Sequence, residues 1–144
     1  MKLSENKNFL NYGFAASEGR LTEAATYLEA VRVEARQCGD DLTSAFVTTR
    51  IARLYYRRDD FASSIQYFES ACAEDRTIFS IHDYATFVTE NPIPGVDPAL
   101  IARKGIEKLE SGKSNSGHIG TQDQWYLAKL EKILSSADPV DPKD

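Results

Sequence analysis

The chain has 144 residues, 42% hydrophobic and 27% charged, enough for one ordinary domain that buries roughly two-thirds of its unfolded surface without a metal or disulfide staple. Gly and Pro number only 8 and 5, which excludes collagen-like, low-complexity and wholly disordered classes. Seventeen Lys and Arg against 22 Asp and Glu give a net charge of −5, which argues against a general grip on nucleic acid or anionic membrane.

All five prolines lie at or beyond Pro92, and a long proline-free start favours helices. Glu5 to Ser17 places Phe9, Tyr12 and Ala16 at helical spacing, with Gly19 as a natural stop. A second helix follows, with Thr22 as candidate cap and Ala24, Ala25, Leu28, Val31 and Ala35 inward, ending at Gly39. Asp40-Asp41 opens a third, in which Phe46, Val47, Ile51, Leu54 and Tyr55 recur at steps of three and four until the Arg57–Asp60 turn. A fourth from Phe61 buries Ile65, Phe68 and Ala71 or Cys72, and a fifth spans about 77–89.

ENPIPGVD, residues 90–97, is the first true loop. Asp97-Pro98 starts a sixth helix through Leu109. Residues 111–120, rich in Ser, Gly and Asn, read as a mobile connection. Thr121 caps a last helix at about 121–136, and 138–144 reads as a disordered tail. Strand patterns are missing, so the expected fold class is all-α, a single domain over 1–137.

Residues 1–38 and 42–75 line up as two helix-turn-helix units at a constant offset of 40: Ala15, Ala25, Leu28 and Val31 match Tyr55, Ile65, Phe68 and Ala71. The second unit, best over 45–76, resembles the tetratricopeptide repeat (TPR) family. Ile51 and Ala52 take the paired large and small places of the first helix, Tyr55 the following Tyr, and Asp59-Asp60-Phe61 the turn. Ser64 stands where the family has Ala, and the turn lacks Gly. The resemblance implies a short right-handed α-solenoid of about three hairpins (5–38, 42–76 and 77–111) with the helix at 121–136 as cap. A period of 40 exceeds the family's usual length, so the second helix of the first unit should be long.

Catalysis and metal binding are not expected. The two histidines, His82 and His118, have no matching cluster, there is no phosphate loop or nucleophile elbow, and no cofactor is implied. Cys38 and Cys72 lack metal or redox spacing and read as reduced thiols. The N-terminus lacks a signal-peptide core and no run nears the roughly 18 apolar residues that cross a bilayer, so a cytoplasmic location is expected.

Charge is uneven. Leu42 to Arg58 carries Arg50, Arg53, Arg57 and Arg58 with no acid, while residues 73–144 hold net −4. In the family the first helix of each unit lines a concave groove that holds a partner's segment. That places Phe9, then Phe46, Thr49, Arg50, Arg53, Tyr56 and Arg57, then Phe79 and His82, at the groove. Aromatics with arginine suit protein recognition, since arginine grips carboxylates with paired hydrogen bonds. Phe46 and Phe79 fit equally well between hairpins as core, and in that alternative the arginine stems only cover the outer face.

The expected function is a protein–protein interaction module, an adaptor or chaperone, acting as monomer or homodimer on another protein and on neither nucleic acid nor membrane. The alternative is an immunity-type inhibitor that neutralises a toxin or enzyme through its acidic surface.

Overall fold

The computed structural model describes residues 1–111 and 121–137, so the connection at 112–120, with His118, and the tail at 138–144 lie outside the described residues. The described residues are all-helical, with no strand. A short 3-10 turn, Leu3–Glu5, precedes α1 (Lys7–Ser17), α2 (Leu21–Gln37), α3 (Asp41–Arg57), α4 (Phe61–Glu74), α5 (Phe79–Glu90), α6 (Pro98–Glu110) and α7 (Thr121–Ala137). Where the sequence reads as one domain over 1–137, the chain divides into two compact units, Met1–Asp75 and Arg76–Asp144.

In the first unit each helix packs on its successor, α1 on α2, α2 on α3 and α3 on α4. The three joints are one geometry repeated. Gly19, Gly39 and Asp59 adopt left-handed backbone at φ 78°, 72° and 59°. The next residue's N–H closes back on a carbonyl five positions earlier: Arg20 on Ala15 at 2.9 Å, Asp40 on Ala35 at 2.8 Å, and Asp60 on Tyr55 at 3.0 Å. This is the helix-ending loop that glycine favours because it has no Cβ to clash.

Asp40 and Asp60 then cap the following helices, each carboxylate accepting from the N–H three residues on, Thr43 and Ser63, both at 3.1 Å. Left-handed residues thus recur every twenty positions, and the 40-residue offset is two such steps. The long second helix expected from that offset is α2, with 17 residues. Thr22 is not a cap: the 19–20 loop already starts α2 at Leu21, which leaves Thr22 inside the helix, its carbonyl accepting from Thr26.

The core of this unit joins Ala15, Ala24, Leu28, Val31, Val47, Ile51 and Leu54 from three helices. Alanines at 15, 24 and 35 are fully buried, which lets neighbouring backbones approach closely. Ser64, also fully buried, donates its hydroxyl to the Ala52 carbonyl at 2.8 Å, a polar clasp between α4 and α3.

In the second unit α5, α6 and α7 pack against one another pairwise. Asp97 caps α6 by accepting from Ala99 N–H at 2.9 Å, with Pro98 in the first turn. Ile78, Ala85, Ala102, Leu109 and Leu130 form the core. Gly105 of α6 lies tight against side chains of α5 and α7: a Cβ there would stand 2.7 Å from Leu130 Cδ1 and 2.8 Å from Ile81 Cγ2.

Candidate functional site

The basic stripe lies on α3, packed between α2 and α4 and held at its start by Asp40. The Arg50 guanidinium lies over the Phe46 ring, 4.5 Å from its centroid, and both residues are half-buried. Tyr56 tilts against Phe61 at 5.4 Å, and Arg53, three positions earlier on α3, is half-buried. Arg57 is exposed and donates from Nη2 to the Ala16 carbonyl at 3.3 Å, placing a cation at the negative end of α1.

Three expected groove residues of this unit have packing contacts. Thr49 is fully buried and donates its hydroxyl to the Phe46 carbonyl at 2.6 Å, so it belongs to the interior and not to a recognition surface. Side chains on α3 rotate inward between Phe46 and Arg50, and position 49 falls on the inward side. Phe9 is half-buried, packs on the core and meets Tyr12 at 5.3 Å; Phe46 likewise borders the core.

A second cationic-aromatic cluster went unread in the sequence. Tyr55 and Tyr67 stack at 5.2 Å with planes 9° apart. Arg58 lies over Tyr55 at 5.3 Å and Arg32 over Tyr67 at 5.5 Å. Arg32 also donates to Glu29 at 3.2 Å and to Ser70 at 3.3 Å. Burial, with the Glu29 charge and Tyr55 beside it, pushes the Tyr67 phenol above its usual range. The mutual placement of Tyr55 and Tyr67 either side of the 58–60 turn was the available clue.

In the second unit, Phe79 and His82 face α7. Phe79 meets Tyr126 edge-on at 6.1 Å, and His82 lies 4.6 Å from Tyr126 and 5.4 Å from Trp125. Trp125 keeps 53% of its surface exposed, with Lys129 above its ring at 5.1 Å. Burial, reinforced by Lys129 and opposed by Asp83, pulls the His82 imidazole below its ordinary range.

Among the described residues no group of three His, Cys, Asp or Glu side chains assembles to hold a metal, and no helix is long and apolar enough to cross a membrane. The chain matches no protein-family model, no curated protein and no solved structure.

Proposed function

We propose that the chain is a non-catalytic protein–protein interaction module of the TPR kind, an adaptor or chaperone that holds an acidic segment of a partner protein along α3. The observation that supports this most is the cationic edge of that helix. Arg50, Arg53 and Arg57 recur at steps of three and four beside Phe46 and Tyr56, with no acid between Leu42 and Arg58. Arginine and aromatic side chains carry most of the energy in protein interfaces, and a guanidinium already resting on a ring loses little entropy on binding. Phe79 and His82 take no part in this reading, since they serve the α5–α7 contact.

The test is affinity capture from native lysate with the wild type and with a Tyr56→Ala/Arg57→Glu variant, followed by direct titration of the captured protein in rising salt. The partner should be lost from the variant while helicity is retained, and wild-type affinity should fall as salt rises. Equal capture by both proteins would overturn the α3 assignment.

A further inference from the structure

The outward face of α1 carries a stripe that the α3 reading does not use. Lys7, Leu10, Phe14 and Glu18 recur at steps of three, four and four, which aligns them along one side of the helix and its C-cap. Leu10 is 48% and Phe14 66% exposed, Phe14 being the most exposed large hydrophobic among the described residues. Single exposed apolar residues are ordinary, but two adjacent on one stripe with unlike charges at its ends are a patterned surface.

We propose that this stripe is a self-association surface, through which two copies of the chain pair α1 against α1, antiparallel, about a two-fold axis. The stripe is itself close to two-fold symmetric. In such a pair the same patch serves both copies, and residues equally spaced about the axis meet. Leu10–Phe14 is centred at position 12, and Lys7–Glu18 is centred half a residue further on. The register that sets Leu10 of one copy on Phe14 of the other sets Lys7 opposite Ser17, one residue from Glu18 and within reach of its carboxylate, at both ends. A parallel pair would oppose Lys7 to Lys7 and Glu18 to Glu18. Glu18 also accepts from Arg20 at 2.8 Å, so Lys7 of the other copy would share its carboxylate with that guanidinium. These rim charges are exposed and screened, so they set orientation while Leu10 and Phe14 supply the attraction. One helix pair is a small contact, and the dimer is accordingly weak and concentration-dependent.

Sedimentation velocity on the full chain, from low micromolar to millimolar, tests this. A rising dimer fraction is expected. Phe14→Glu should abolish it with the helical circular dichroism unchanged, and Leu10→Gln should do the same. Lys7→Glu or Glu18→Lys alone should weaken the dimer several-fold, and the two together should restore it. A wild-type chain that stays monomeric at millimolar concentration would overturn the proposal. So would a dimer indifferent to Phe14→Glu and Leu10→Gln, or a double charge swap no better than its single members. None of these variants touches α3, so failure here leaves the partner-binding reading standing, and the converse holds.

Discussion

Ser64 and Ala52 share a hydrogen bond sealed from solvent, the hydroxyl of one donating to the backbone carbonyl of the other at 2.8 Å. It joins α4 to α3. Ser64→Ala should cost about 1 kcal/mol, because the carbonyl loses one partner without gaining a cavity of any size. Ser64→Val should cost more, since added methyls must enter a closely packed site. Chemical denaturation midpoints would separate the two, and a Ser64→Ala protein as stable as wild type would show that the clasp is neutral.

The left-handed residues make a graded series. Gly39→Ala should destabilise by about 1 kcal/mol, because φ 72° crowds any Cβ. Asp59 already bears that strain at φ 59°, so Asp59→Gly should stabilise the fold by about 0.5 kcal/mol once the added freedom of the unfolded chain is subtracted. Opposite responses at equivalent turns, read by thermal melts, are the expected outcome.

Two helical glycines should respond in opposite directions for a different reason. A Cβ at Gly13 meets nothing within 4 Å, so Gly13→Ala should stabilise by about 0.5–1 kcal/mol through helix propensity. At Gly105 the same methyl would strike Leu130 and Ile81, and a loss of about 1–3 kcal/mol is expected. Trimming the obstacle, as Gly105→Ala/Leu130→Val, should recover part of that loss if the clash is its cause. Hydrogen exchange in α5–α7 would localise the effect to the second unit.

Stability should fall in two steps as the solution is acidified. His82 titrates below its unfolded value of about 6.5, so the unfolded chain takes up the proton first. Its contribution is complete above that value and is lost as the pH falls through the depressed folded one. Asp40 is held low by the Thr43 hydroxyl and amide, so its share is present above about pH 4 and lost below it. Melting temperature against pH should lose only the first step in His82→Gln, and a curve unchanged in that variant would remove His82 as the cause.

Helix content is legible because inward residues such as Leu28, Val31 and Ala35 of α2 and Val47, Ile51 and Leu54 of α3 recur at three- and four-residue steps. The forty-residue offset was readable too, through Ala15 with Tyr55 and Leu28 with Phe68. Its division into twenty was hidden. The third left-handed residue is Asp59 where the others are glycine, and Arg20 precedes α2 where aspartates precede α3 and α4. Thr49 was misplaced because Phe46 and Arg50 flank it on a side that reads as exposed, whereas the direction of one side chain is set by which neighbours close over it. Phe79 and His82 could not be assigned from local pattern, since what faces them is α7, more than forty positions along the chain.

The twenty-residue rhythm of the first unit also fixes the step by which such a chain can lengthen or shorten. Each step reverses the path of the backbone, so deleting one helix with its turn would send the remainder off in the wrong direction. Removing or duplicating two together would restore direction, inward face and joint geometry at once. Residues 20–59 run from one joint to the matching point two joints on, and they are the smallest portion of this unit that could be copied in tandem with every seam already matched.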